Sequence, residues 1–539
     1  EPTVTDAGET ISAPTPALAK RSLAWAGPWT ATIALVLIIT AARLVYLAFF
    51  SPFTLIEDEA HYWAWAQRLD WSYYSKGPGV AWAIALSTAI IGDTEFGVRA
   101  PTVISGAISA IAVAGLARSI FRDGRVGFFA AAMLFCMPVH VASSILMTID
   151  GPYLACWAIA AWAAWVGLTR GHAWAWIGFG LALAVGFLFK YTILIMPIGV
   201  VLFAVLKRRH VRTQSLGGPL LGIAVALLGL VPVLIWNAQN DWVTVRHLMG
   251  HLGLAGGDVV QTGESTPYNP LWTLEYIGFQ AALGGPAVFL GLLGLINIRR
   301  SHKGDGDRAG ATWTPGGPAY LAFVAAPMFV FYGLVTIVTN VEANWTAAGF
   351  ITLAPLAGWA AVDGQDRADT PLRVLRSASI FVFALFSLTI VTVGVVIDGP
   401  LRERFPGLGR ISMADDLARE AEQLATQTFG PDAEPIYMTV HYGRASLLGF
   451  YLTGRPEVYS AQALLGGRKT QFDVWAETDL TNTDTIERLR GRPAVMLGGR
   501  ADLWAAGFAG VVEHGKLPAE PKADRVAFTA ERFTAFPTK

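Results

Sequence analysis

Charge is scarce in this sequence. Only 15% of its 539 residues are Asp, Glu, Lys or Arg, against about 25% in soluble domains. The two signs cancel to a formal net charge of zero, so no basic excess marks the chain for nucleic acid. Cysteine is almost missing. Cys136 and Cys156 both lie in apolar stretches, which leaves no disulfide framework and no thiolate metal site, only two reduced core residues. The sequence has no Walker loop, no GxGxxG after a strand and no GxSxG. ATP-driven and serine-hydrolase readings therefore lose their main support. His247 and His251 stand four apart, a spacing compatible with metal, but no HExxH or carboxylate at ligand spacing accompanies them and they read as a solvated helix face. There is no solenoid-scale repeat.

What fills the space is apolar. Hydrophobic residues make up 53% of the chain, with 19 Trp and 29 Phe, the bulky side chains that membrane proteins collect. Runs of spanning length, about 20 residues each, fall at 28–50, 97–117, 126–143, 151–169, 173–189, 192–206, 215–236, 271–297, 318–340, 345–362 and 377–397. The sequence thus predicts a polytopic α-helical membrane protein with about eleven transmembrane helices. Two shorter apolar stretches, 57–69 and 79–92, read as juxtamembrane helices lying in the interface. Residues 1–27 are polar and read as a flexible cytoplasmic lead. Lys20 and Arg21 precede the first run, which is too long for a cleaved signal and reads as a signal anchor. The membrane domain covers 28–397, with a first outer loop at 51–96. Residues 398–539 are mixed and charged, without a spanning run. They predict a soluble α/β or α+β domain, with a strand at 436–440 and a helix at 443–452.

Basic residues divide unequally between the two sets of connections. One set holds clusters such as Arg118, Arg122 and Arg125, Lys207, Arg208, Arg209 and Arg212, and Arg367, Arg373 and Arg376. The opposite set, before residue 398, holds only Arg68, Lys76, Arg99, Lys190 and Arg246. The positive-inside bias places the first set in the cytoplasm and the first loop outside. The five exceptions need another reason to be where they are.

The same outer connections carry the candidates for chemistry. The first loop, LIEDEAHYWAWAQRLDWSYYSKGPGVAW, brings Asp58, Glu59, His61, Tyr62 and Lys76, followed by Arg99. The next brings Asp150, then come Lys190 and Tyr191, the 237–270 loop, and finally Glu342 and Asn344. Asp58 and Glu59 point to different sides of any helix, so one faces a cavity while the other caps the helix beginning near residue 59. Asp150 stands at the mouth of a span, where a plain helix cap is the alternative. Lys76, Arg99 and Lys190 are each compatible with snorkelling anchors. Together, on the face poor in cations and beside acids, they read as a phosphate site.

These pieces resemble the GT-C superfamily of membrane glycosyltransferases, and within it the bacterial branch of the dolichyl-phosphate-mannose–protein mannosyltransferase family, which includes aminoarabinose transferases of lipid A. The resemblance rests on DEAHY (58–62), YSKGPGVAW (74–82), GVRAPTVISG (97–106), TIDGPY (148–153), GFLFKYT (186–192) and EANWTAAGF (342–350), with HYGRASLLGFYL and GRKTQFDVW in the tail. It implies a polyprenyl-phosphate-linked sugar as donor and an acceptor among glycolipids, glycans and proteins, joined with inversion on the periplasmic face of a bacterial inner membrane. Asp58 matches the catalytic acid and Asp150 a second important acid, with Glu59 beside them. Lys76 matches the donor-phosphate lysine, with Arg99 and Lys190 in support and His61, Tyr62, Tyr191, Glu342 and Asn344 around them. One departure stands out: relatives often have Glu-Lys-Pro-Pro where this chain has Ser75-Lys76-Gly77-Pro78. The missing carboxylate leaves a role for divalent metal open; no cofactor is required and no metal ligand set is assigned.

The chemistry agrees with that assignment. Displacing phosphate from an anomeric carbon needs a base on the incoming hydroxyl and cations on the leaving oxyanion. Asp58 suits the first task and Lys76 with Arg99 or Lys190 the second. In the tail, His441 and Tyr442 belong to an aromatic segment suited to gripping sugar rings, so the domain is expected to govern acceptor access rather than bond chemistry. Two other readings compete. A carrier-lipid transporter would show inverted repeats and acids near the midplane, and a polysaccharide polymerase or ligase would lack the DE pair after the first span.

Overall fold

The computed structural model describes residues 29–212, 215–251, 256–258, 268–304, 313–397, 412–520 and 525–537. The N-terminal lead and the join at 398–411 lie outside the described residues, as does most of the 252–267 segment.

Eight described helices are long and apolar enough to cross a membrane: Thr30–Phe49, Glu95–Phe121, Asp150–Arg170, Gly217–Gln239, Pro270–Ile298, Gly317–Val335, Ala343–Asp366 and Thr370–Val393. The three other expected spans lie on shorter helices. Ala173–Phe189 and Tyr191–Leu206 follow each other across an extended Lys190. The run expected at 126–143 is broken into Gly124–Phe135 and Pro138–Ser143. Pro138 causes the break, because a ring without an N–H cannot continue a helix but fits the first turn of a new one.

Burial orders the bundle. The apolar stretch of Ala343–Asp366 is 94% buried and that of Thr370–Val393 only 6%. The first is therefore the central post, and the second stands at the rim with Phe381, Leu385 and Leu388 facing outward. Small residues let the post approach its neighbours closely. A Cβ on Gly358 would lie 2.5 Å from the backbone nitrogen of Ala130, so only glycine permits that crossing.

The C-terminal part folds around a five-stranded sheet of order β2-β1-β3-β6-β5, where β1 is Ile436–Thr439, β2 Val458–Ser460, β3 Ala494–Leu497, β5 Val512–Gly515 and β6 Ala527–Ala530. A separate pair joins β4 (Phe508–Ala509) to β7 (Arg532–Phe533). Strand β1 runs parallel to β2 and β3, while β6 is antiparallel to β3. The helix Tyr442–Tyr451 makes the crossover from β1 to β2, as parallel neighbours require.

That crossover helix packs on Glu57–Ala66, the helix of the first loop. This revises one expectation. Rather than lying amphipathically in the interface, the helix is buried at every position from Glu59 to Ala66. Its aromatics meet the C-terminal part: Trp63 packs edge-on to Phe450 at 4.9 Å, and His61 lies 4.6 Å from Tyr442 and 5.9 Å from Phe472, centroid to centroid. The crowding of aromatics in the loop therefore reflects interdomain packing.

Candidate active site

The helix Glu57–Ala66 opens with three acids, Glu57, Asp58 and Glu59, which complement the partial positive charge of its N-terminus. Ile56 at the cap has no side-chain acceptor, so Glu59 reaches back and accepts from the Ile56 N–H at 3.1 Å, the acidic half of a capping box. The same carboxylate takes Arg99 Nε at 2.8 Å and Nη2 at 2.6 Å, and the Met147 N–H at 2.8 Å. Arg99 completes its fork on the Phe53 and Thr54 carbonyls at 2.9 and 2.7 Å.

This buried knot corrects two expectations. Glu59 is not positioned as a reacting acid, and Arg99 is not available to a donor phosphate, because each fills the other's hydrogen-bonding capacity away from solvent. What the pair does is hold three segments together: the end of the first span's connection, the start of Glu95–Phe121, and the strand of chain leading to Asp150. By fixing Met147, it sets Asp150 beside the helix that carries Asp58.

Asp58, one residue earlier, is rotated by about 100° around the helix and faces a cavity of about 430 Å³. The cavity gathers Asp58, His61, Tyr62, Lys76, Asp150, Lys190, Glu342, Asn344 and Tyr442 from the expected residues. The Asp58 side chain is exposed to solvent within the cavity, with protein packed around its base. Burial raises its pKa, with Lys76 pulling the other way. Lys76 is half-buried, and no carboxylate lies within ion-pairing distance of it among the described residues. Its pKa is pushed down to about 8, first by burial and then by the neighbouring charge of Lys190.

Asp150, by contrast, is clamped. It accepts from Lys190 Nζ at 2.8 Å and Asn344 Nδ2 at 2.5 Å. Lys190 can hold this position because the backbone between Ala173–Phe189 and Tyr191–Leu206 is extended there, so the side chain turns inward. Glu342 stands on the wall with its side chain open to solvent. Burial and the charge of Arg468 push His61 down to about 3, which keeps the ring neutral at physiological pH. Its Nδ1 lies 3.1 Å from Ser446 Oγ, and that hydroxyl donates to the Tyr442 carbonyl. His61 therefore donates to Ser446 and positions the C-terminal helix.

Two expected residues are placed elsewhere. Tyr191 packs on Phe187, outside the cavity. His441 caps its own helix, accepting from the Gly443 N–H at 3.2 Å, and stands 3.5 Å from Glu57; its ring is turned to that cluster and not to the cavity. Other cavity residues escaped sequence reasoning. Arg468, Thr470 and Gln471 arrive from the C-terminal part, and Tyr74, Thr148 and Trp345 complete the wall. His247, expected on a solvated helix face, is instead buried at the cavity with Nδ1 3.0 Å from Asp258. Arg468 sits in GRKTQFDVW, but nothing in a tail far along the chain signals that it returns to the first loop.

The metal question has a structural side. Among the described residues, no group of three or more His, Cys, Asp or Glu is disposed to hold an ion, and Ser75 contributes no carboxylate where relatives often have one.

Comparisons with known proteins converge on one family. Residues 75–236 match the dolichyl-phosphate-mannose–protein mannosyltransferase family. The chain is 26% identical over 332 residues to a lipid A galacturonosyltransferase of Rhizobium johnstonii, covering 60% of this chain and 64% of that one. It is 29% identical over 233 residues to an undecaprenyl phosphate-α-4-amino-4-deoxy-L-arabinose arabinosyl transferase of Proteus mirabilis, covering 41% and 42%. The chain thus spans less than two thirds of the length of these relatives. In fold it is similar to crystal structures of ArnT from Cupriavidus metallidurans. The apo form matches with a TM-score of 0.60 at 14% identity, over 93% of this chain and 98% of that one. The form bound to undecaprenyl phosphate matches equally, at 15% identity over 92% and 97%. By sequence over residues 75–236 the chain is similar to the dolichyl-phosphate-mannose–protein mannosyltransferase family, and over nearly its whole length its fold is that of ArnT.

Proposed function

We propose that the protein transfers a sugar from a polyprenyl-phosphate carrier to a hydroxyl of a lipid A-type glycolipid, on the periplasmic face of a bacterial inner membrane. One observation carries the reading: a carboxylate, Asp58, and an ammonium, Lys76, neither of them ion-paired among the described residues, face the same cavity. A second acid, Asp150, is held in place there by Lys190 and Asn344. The relatives named for lipid A and undecaprenyl phosphate chemistry support the choice of donor and acceptor.

In the reaction, the acceptor hydroxyl loses its proton to Asp58 as its oxygen attacks the anomeric carbon. The bond from that carbon to the phosphate oxygen breaks, and the electron pair leaves with the polyprenyl phosphate. Attack from the face opposite the phosphate inverts the centre. Lys76 stabilises the departing oxyanion, with Lys190 adding positive charge that Asp150 tempers. A positioned base contributes about 10²–10⁴-fold, and charge stabilisation in a site with little water a comparable factor. Burial suits Asp58 to this task, because a carboxylate with a raised pKa is a stronger base than a free one. Membrane lipid is as apolar as the carrier's tail, so the phosphate and sugar dominate recognition.

The test uses the purified full chain in lipid nanodiscs with a polyprenyl-phosphate-linked sugar and lipid A. Mass spectrometry should show glycosylated lipid A and free polyprenyl phosphate in equal amounts. Failure to release carrier phosphate from every donor in a panel of neutral, amino and acidic sugars would overturn the reading. Envelope glycolipids of a deletion strain, compared with its parent, would identify the sugar.

A further inference from the structure

The cavity wall contributed by residues 468–471 has a chemistry of its own. Arg468 is half-buried at the cavity and its guanidinium has no carboxylate within ion-pairing distance among the described residues. Its direct contacts are two rings: the guanidinium carbon lies 5.6 Å from the Tyr442 ring centre, and Nη1 lies 3.4 Å from Nδ1 of His247, which is itself 3.0 Å from Asp258 Oδ2. Three residues on, Gln471 is 1% exposed. Its Oε1 accepts from the Tyr74 N–H at 2.7 Å, which fixes the amide orientation and leaves Nε2 as the donor. That Nε2 is buried and has no hydrogen-bond partner among the described residues. Thr470 between them is occupied by Asp473, at 2.7 Å to its N–H and 3.0 Å to its hydroxyl.

A buried amide donor without an acceptor is destabilising. Here it lines the same cavity as a guanidinium that has no direct ion pair among the described residues and only the more distant charge of Asp258, and a ligand there could complete both. The ligand group that satisfies a guanidinium and an amide N–H together is an oxyanion. It is not the oxyanion of the carrier phosphate if that sits at Lys76. Lys76 comes from the first loop, while Arg468 stands against Tyr442 and His247 on the wall formed by the C-terminal part.

Resting on the glycosyltransferase reading above, we propose that Arg468 and Gln471 form a second oxyanion site in this cavity. It takes a carboxylate on the transferred sugar or a phosphate on the acceptor. The C-terminal part would then set which substrates the membrane part processes.

The test is equilibrium binding to the full chain in nanodiscs, comparing the wild type with Arg468→Gln, Gln471→Glu and Lys76→Gln. Gln471→Glu keeps the acceptor for Tyr74 but replaces the donor with a repelling carboxylate, and thermal unfolding checks that each variant is folded. Four probes are used in two arms: undecaprenyl phosphate bearing a uronic acid or the matching neutral hexose, and lipid A with or without its phosphates. Undecaprenyl phosphate alone is the control. The wild type should prefer the anionic member of one arm by about 10–100-fold, the range for charge-assisted hydrogen bonds. Arg468→Gln and Gln471→Glu should abolish that preference and leave undecaprenyl phosphate affinity within about twofold, whereas Lys76→Gln should do the reverse. Preference in the first arm assigns the site to the sugar, and in the second to the acceptor. No anionic preference in either arm, or a loss of undecaprenyl phosphate binding in Arg468→Gln equal to that in Lys76→Gln, overturns the second site. Failure of the glycosyltransferase reading looks different: the wild type would then not bind undecaprenyl phosphate, while the lipid A arm would still report on Arg468.

Discussion

Asp58 and Glu59 follow each other on one helical turn, yet their carboxylates serve separate environments. Glu59 accepts four hydrogen bonds in a buried knot with Arg99, Met147 and Ile56, while Asp58 opens onto the cavity with no ion pair among the described residues. The knot predicts a stability phenotype. Arg99→Met or Glu59→Gln should cost about 3–5 kcal/mol, the usual penalty for leaving one member of a buried pair alone. It would appear as a lower unfolding temperature and folded yield in detergent. The fraction that remains folded should bind undecaprenyl phosphate normally. A stable Arg99→Met protein with weakened phosphate binding would return Arg99 to the donor site.

Asp58→Asn preserves size and hydrogen-bonding shape but removes the proposed base. Transfer should fall by at least about 10²-fold, with undecaprenyl phosphate affinity unchanged or increased because a nearby negative charge is gone. Retention of more than about a tenth of wild-type turnover would exclude Asp58 as the base.

The pH profile should be bell-shaped, for reasons that follow from the two shifts. Asp58 must be ionised to act, and burial raises its pKa, so the acid limb should lie above the range of an ordinary aspartate. Lys76 must be protonated to hold the phosphate, and its pKa is pushed down to about 8, so kcat/KM should fall as pH rises through about 8. Once phosphate is bound, its charge favours the ammonium, and the alkaline limb of kcat should move upward. Lys76→Arg should remove the limb near 8. An alkaline limb unchanged in Lys76→Arg would assign it to another group.

Much of this arrangement was legible in the sequence, and the part that was not has a physical cause. Apolar runs, Pro138 excepted, located the spans, because lipid forces every backbone group in a span into a helix. The acids and cations of the outer loops were conspicuous because charge is costly beside a membrane. Spacing alone could not say which charges pair with each other. Arg99 and Lys190 are both cations placed near helix ends, but Arg99 is consumed by Glu59 whereas Lys190 joins Asp150 inside the cavity. The return of Arg468 and Gln471 to the first loop is a tertiary contact across nearly 400 residues of chain, reported by the bond from Tyr74 to Gln471. No local pattern encodes it.

Asp150 should be separable from Asp58 by what its loss does to binding. Asp150→Asn removes the partner of Lys190, leaving a second unpaired ammonium in the cavity. Undecaprenyl phosphate should then bind more tightly, by about tenfold if the released charge is worth about 1.4 kcal/mol, while turnover falls because product leaves slowly and the site is less ordered. The effect should shrink with added salt. Weaker binding in Asp150→Asn would mean that the acid itself contacts the ligand, directly or through a metal.

The C-terminal part offers the sharpest change of expectation. As a separate soluble domain it would control acceptor access, and donor hydrolysis by water would survive its removal. The packing argues otherwise. Tyr451 Oη accepts from the Leu55 N–H at 2.7 Å and donates to Glu95 at 3.0 Å. Ser446 engages His61, and Arg444 lies 3.3 Å from Glu57. These contacts hold the first two turns of the helix that carries Asp58, whose aromatic face would otherwise be exposed. A chain ending at residue 411 should therefore lose transfer and donor hydrolysis together, even where its spans still insert. Tyr451→Phe is the graded version: it strands the buried Leu55 N–H, at a cost of about 1–3 kcal/mol, and should slow hydrolysis and transfer by the same factor. Assaying both reactions with one radiolabelled donor decides the matter. Hydrolysis that persists in the truncated chain would restore the separation between a catalytic membrane part and a tail that only admits the acceptor.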